Sequence, residues 1–272
     1  MRLCGLRMRL CVRRRWALIT RADLPAPELS RSLAAWLQGP RSRALRRAGI
    51  GRCERVLEVG SGHGFVTEEL ARRAAGDVVT VDISPVGRGP GPRQLSASRV
   101  TADGRALPFA DETFDLVFFQ NTLMWIDPPA DAVYEAARVL RPGSTLVALE
   151  PDYGAMIEEP DFGLRVIWMD ALARAGADPQ VGRKLPRIVE EAGLDPWVEF
   201  AHIPRPAEAE ALDLLDELPL TVLQRERVAS VREMIGASSG EWAVFQHVPW
   251  VMVIATCELT RSREGINFVK HE

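Results

Sequence analysis

Long apolar runs, clusters of metal-binding side chains and a large net charge are all missing from this 272-residue sequence. No stretch approaches the ~20 apolar residues that a bilayer-spanning helix needs, so no transmembrane segment is expected. The four cysteines, Cys4, Cys11, Cys53 and Cys257, are scattered. No pair has zinc-ligand spacing and nothing suggests a disulfide framework, so no metal is expected and a reduced, cytoplasmic protein is the default. Histidine is equally sparse: His63, His202, His247 and His271 are the whole supply, which leaves few choices for a general base. A net charge of −3 argues against a chain built as a whole for nucleic acid.

What is present centres on one stretch, Arg55-Val-Leu-Glu-Val-Gly-Ser-Gly-His-Gly-Phe65. Val56, Leu57 and Val59 form a nearly continuous apolar run, the pattern of a parallel strand covered on both faces. Gly60, Gly62 and Gly64 follow on alternate residues, a turn that a ligand can approach closely. Val66, Leu70 and Ala74, with Ala71, then share a helical stripe. The dinucleotide fingerprint wants its third glycine at the sixth position, but Phe65 stands there, and no Gly-Lys-Ser/Thr follows to make a phosphate loop. A carboxylate at Glu58 repels a pyrophosphate and attracts a ligand carrying an ammonium and a sulfonium. The pattern Glu-x-Gly-x-Gly-x-Gly therefore favours S-adenosylmethionine.

With these residues the chain resembles the class I S-adenosylmethionine-dependent methyltransferases, in particular the small-molecule branch of the ubiquinone/menaquinone type (methyltransferase type 11). The resemblance runs in order over roughly residues 50–195. Val78-Val-Thr-Val-Asp82-Ile83 resembles the second strand, with its acid about 20 residues beyond the glycines, where ribose hydroxyls bind. Ala102-Asp103-Gly104-Arg105 resembles the adenine-contacting turn, Phe114–Asn121 the fourth strand, and Arg138–Glu150 a helix end followed by the fifth strand. The resemblance implies a Rossmann-like α/β fold. Its seven-stranded, mostly parallel sheet has the order 3-2-1-4-5-7-6, with helices on both faces and a helical lid insertion. It implies S-adenosylmethionine as cofactor, held by Glu58, Gly60, Ser61, Gly62, His63, Gly64, Asp82, Ile83, Asp103, Gly104, Arg105, Gln120, Asn121 and Trp125. Glu58 would attract the methionyl amino end, Asp82 would accept from the ribose hydroxyls, and Asp103 from the adenine amino group.

The remaining segments read as follows. Residues 1–27 form a basic leader, with six arginines and no acid in the first fifteen positions. An arm for RNA or a membrane surface is one reading of it and a targeting presequence another, but a disordered leader is preferred. Residues 28–206 and 241–260 form the core, with Leu29, Leu33, Trp36 and Leu37 on one helical face near its start. Pro85–Pro92, rich in glycine and proline, breaks the helix expected after the second strand. Asp127-Pro128 should cap and start the next helix. Residues 207–240 are read as two lid helices, with Thr221 and Gln224 as a capping box. They lie between closing antiparallel strands at Trp197–Ile203 and His247–Leu259. Residues 261–272 form a tail.

Methyl transfer from a sulfonium is an in-line displacement, so the protein mainly positions and desolvates the acceptor. No base is assigned: Tyr153, His247 and Asp152 are weak catalytic candidates, and Glu150, Asp152 and Tyr153 are placed to contact substrate. The expected activity is therefore methyl transfer to a small, partly hydrophobic acceptor, by a monomer or homodimer. The alternatives are an RNA or protein methyltransferase using the basic arm, and a non-catalytic binding protein of the same fold. Nucleic acid is disfavoured, because Asp127-Pro-Pro-Ala130 ends in an alanine that cannot stack on a base.

Overall fold

The computed structural model describes residues 25–84, 97–201, 205–206, 209–238, 240 and 242–257. Residues 1–24 of the basic leader, the Gly/Pro segment from residue 85 to 96, His202, the tail with His271, and Cys4 and Cys11 lie outside the described residues.

Two helices come first, α1 (Pro27–Trp36) and α2 (Gln38–Arg47). β1 (Arg55–Val59) leads through the glycine turn to α3 (Thr67–Arg73), then β2 (Asp77–Asp82), β3 (Ala97–Thr101) and β4 (Phe114–Gln120). α4 (Pro129–Val139) runs into β5 (Leu140–Pro151), followed by the short β6 (Ile157–Glu159), α5 (Leu164–Arg174), α6 (Val181–Glu191) and β7 (Leu194–Ala201). After β8 (Arg205–Pro206) come α7 (Asp213–Asp216) and α8 (Val222–Ala237), then β9 (Phe245–His247) and β10 (Trp250–Cys257).

The large sheet has the order β3-β2-β1-β4-β5-β10-β7. Counted without the three short strands, this is the 3-2-1-4-5-7-6 order that the resemblance implies. β10 lies antiparallel between β5 and β7. The central strands carry apolar residues at consecutive positions because both faces are covered. Val56, Leu116, Phe118, Val147 and Leu149 face α1–α3 in one core. Leu57, Val59, Val117, Phe119, Leu146 and Ala148 face α4–α6 in the other. Leu212, Leu215, Val228, Val231 and Ile235 of the 209–237 segment are buried in that second core.

Three local details differ from expectation. α4 starts at Pro129, one residue late, and no side chain caps it, because the N-cap position falls on Pro128, whose ring carries no acceptor. His247 does not begin the closing strand. It ends β9, which pairs with β6 and β8 in a separate small sheet, and β10 starts only after Pro249, which has no N–H to donate to a ladder. On α3, Thr67 and Glu69 are buried beside Leu70. The capping box at Thr221 and Gln224 is present on α8.

Candidate functional site

The carboxyl ends of β1, β4 and β5 converge around the glycine turn, at the place where open α/β sheets bind ligands. Gly60, Gly62 and Gly64 all have positive φ, +81°, +48° and +83°. At Gly60 a Cβ would overlap the Thr122 side chain, so the first glycine is required by the close approach of the segment after β4. The Gly60 N–H donates to Val81 O (2.7 Å), which ties the turn to β2. Asp82 fixes it further: one carboxylate oxygen accepts from the Gly62 N–H (2.8 Å) and the other from the Ser84 N–H (2.9 Å). A carboxylate offers about four acceptor positions, so Asp82 keeps roughly two for a ligand hydroxyl. Beside it Ile83 is exposed.

Two polar atoms of the turn test whether a ligand fits. Ser61 Oγ and His63 Nδ1 are buried and have no hydrogen-bond partner among the described residues. Each orphan costs about 1–3 kcal/mol unless a polar group meets it. The other ring nitrogen of His63 is engaged, 2.9 Å from Pro25 O. A glycine-lined cradle with two unmet polar atoms and an acid at the β2 end suits a ligand bearing amino-acid and ribose groups.

Glu58 stands under the start of α3. It accepts from the Thr67 hydroxyl, and burial pushes its pKa up to about 7, against the opposing pull of Thr67, Arg99 and Arg41. At neutral pH it is therefore only partly charged. Asp103 shares its carboxylate with Arg105, whose Nη2 lies 2.8 Å away and whose N–H donates at 2.9 Å. Gly104 packs so closely that a Cβ would sit 3.0 Å from Val59 Cγ1 and 3.4 Å from Ile126 Cδ1. Gln120 Oε1 accepts from Arg41 Nη1 (3.1 Å), Asn121 takes a left-handed φ of +52°, and Trp125 is partly buried against the core.

At the carboxyl end of β5 the acids are turned inward. Glu150 is fully buried and accepts backbone N–H bonds from Thr122 (2.8 Å), Leu123 (2.9 Å) and Met124 (3.4 Å). Burial pushes its pKa up to about 7, and the three N–H donors pull the other way. Asp152 is engaged by Arg183 Nε at 3.0 and 2.8 Å. Tyr153 stacks on Trp168 with ring centroids 5.0 Å apart, and burial raises its phenol pKa. His247 is buried at the end of β9, its ring 6.5 Å from Phe245. The structure thus brings Thr122 against Gly60 and Asp82 against Gly62, while Tyr153, Asp152 and His247 lie by the carboxyl end of β5 and the small sheet.

Three residues that sequence patterns do not reveal hold this arrangement. Arg41 is buried and pairs with Glu69 (2.6 Å) while reaching Ala34 O and Gln120. Thr122 fills the space over Gly60. The Ala26 N–H meets both oxygens of Glu217 at 3.1 Å, so the residues entering α1 bridge from the glycine turn to the 209–237 segment. None has a local signal, because Arg41 sits in a run of arginines and the others act over long sequence separations.

Residues 57–148 match a family model described as a methyltransferase domain. A demethylmenaquinone methyltransferase of Roseiflexus sp. is 36% identical over 163 residues, 57% of this chain and 67% of that protein. The match spans about half the length of several other curated relatives. Among solved structures, a candidate methyltransferase from Bacillus halodurans superposes with a TM-score of 0.59 at 21% identity, over 80% of this chain and 98% of the other. Phosphoethanolamine N-methyltransferase 2 of Haemonchus contortus, in complex with S-adenosyl-L-methionine, gives 0.54 at 16% identity, over 81% and 52%.

Proposed function

Since the chain belongs to the class I S-adenosylmethionine-dependent methyltransferases of the ubiquinone/menaquinone type, we propose that it transfers a methyl group to a small, partly hydrophobic acceptor, a quinone-type ring being the first to try. The observation that carries this reading is the glycine turn pinned by Asp82, with Ser61 Oγ and His63 Nδ1 buried and unmet beside it.

When bound, S-adenosylmethionine supplies an electrophilic methyl on a sulfonium. The chain's own work is placement. Gly62 and Gly64 admit the ligand to the backbone while Gly60 makes room for Thr122, Asp82 takes the ribose hydroxyls, and Asp103 with Gly104 borders the adenine. Ser61 and His63 meet its polar end. Met124, Trp125, Tyr153, Met156, Phe162 and Trp168 make the acceptor end apolar, which supports a hydrophobic acceptor and the exclusion of water. Tyr153, Asp152 and His247 remain the candidates for handling an acceptor proton. Free Cys53 and Cys257 fit a reducing, cytoplasmic setting.

Calorimetric titration with S-adenosylmethionine and S-adenosylhomocysteine tests this directly. Micromolar binding of both is expected, and at least about a tenfold loss in Asp82→Ala, which also releases the Gly62 and Ser84 N–H groups and should lower the melting temperature while leaving the transition cooperative. Wild-type affinity in Asp82→Ala would remove the assignment.

A further inference from the structure

The opposite end of β1 carries a second feature. An open hollow of about 430 Å³ lies where α2 ends, where a turn of 3-10 helix spans Ile50–Arg52, and where α3 ends. Arg46, Gly49, Ile50, Gly51, Arg52 and Arg73 line it, three arginines and no acid. Arg46 and Arg52 are exposed and have no carboxylate partner among the described residues. Arg73 shares Glu69 with the buried Arg41. The Arg52 guanidinium folds over Gly49, where a Cβ would lie 2.8 Å from its Nη2.

Arginines in the last turn of a helix often only offset its negative end, so the charges need weighing. Arg46, Arg52 and Arg73 bring three positive charges, and Glu69, shared between Arg73 and the buried Arg41, offsets about half of one. The two helix ends supply about half a negative charge each. About one and a half positive charges remain around the hollow. A phosphate monoester carries about −1.5 to −2 at neutral pH, and the guanidinium fork matches its oxygens in pairs. A diester carries only one negative charge and balances the site less well.

We propose that this hollow binds the phosphate group of a monoester ligand, with Arg46 and Arg52 as the principal donors and Arg73 behind them. Its volume leaves room for a small organic body beyond the phosphate, within the ~300–1,000 Å³ range of ligand pockets. It is separate from the methyl-transfer crevice and does not rest on that assignment.

The test is titration of the full chain with inorganic phosphate and adenosine 5′-monophosphate at fixed ionic strength. A short single-stranded RNA without terminal phosphates serves as a third arm. Saturable binding of both phosphates is expected, weakened about tenfold or more in Arg46→Gln/Arg52→Gln. Arg47→Gln should bind as wild type, because its guanidinium lies on the Trp197 ring, 3.6 Å from the centroid. Gly51→Asp, whose Cβ would meet only Arg73 O at 3.8 Å, should abolish binding by placing a carboxylate in the hollow, with the S-adenosylmethionine affinity unchanged. Absence of saturable binding, equal loss in Arg47→Gln, or tighter binding of the RNA than of either phosphate would overturn the proposal.

Discussion

Two buried glutamates show how differently one side chain can be used. Glu58 receives a single hydroxyl hydrogen bond, whereas Glu150 receives three backbone N–H bonds. Glu58→Gln keeps a partner for Thr67 and removes a buried charge, so stability at pH 8 should hold or rise, read by thermal melting. Glu150→Gln turns an amide toward backbone donors and should cost about 1–3 kcal/mol in urea unfolding. Both carboxyls have folded pKa values raised to about 7 from 4.5. A raised value means that the folded state holds the proton more tightly than the unfolded chain. The stability this contributes is complete below about pH 4.5 and is lost as pH rises through about 7. Unfolding free energy measured from pH 5 to 8 should therefore carry a downward component, and that component should shrink in Glu58→Gln.

At the scale of elements, the Arg41–Glu69 pair joins α2 to α3 and, through Gln120, to the end of β4. Its side chains are only 4% and 8% exposed, so removing one partner strands a buried charge. Arg41→Ala should cost about 3 kcal/mol or more in denaturant unfolding, and Arg41→Met with Glu69→Leu considerably less. Thr221→Ala should remove the α8 cap at about 1 kcal/mol, seen as a small fall in the melting temperature. These elements also mark what the sequence discloses. Strands β1, β4 and β5 are legible because burial on both faces demands consecutive apolar residues, and the glycine turn is legible because the backbone there tolerates no side chain. Arg41 and Thr122 are not, since their roles depend on which distant segment packs over them. Nor is the placement of His247 legible, because whether an apolar run near a proline joins the large sheet or a small one is decided by register and not by composition.

Across the whole molecule, charge is unevenly distributed. Sixteen arginines face six acids in residues 1–75, although the full chain is at −3. The described part of this excess lies on α1–α3 and the turn before β1, one layer over one face of the sheet. Net charge alone therefore does not describe the potential over that face. The fold was legible at this scale because the central strands β1, β2 and β4 are short and apolar and end in turns. The distribution of charge over its surface was not, because arginine at Arg46 and arginine at Arg41 look alike in sequence, yet one is exposed and the other buried.

The place of β10 also bears on how the protein is made. β5 and β7 flank it and precede it in the chain, so the second edge of β5 and the only pairing edge of β7 wait until β10 has been synthesised. Until then the nascent sheet carries two unpaired edges, the unprotected surface through which strands of separate molecules join. A chain cut before Trp250 should therefore aggregate, its β5 edge and β7 left uncovered, as light scattering would show.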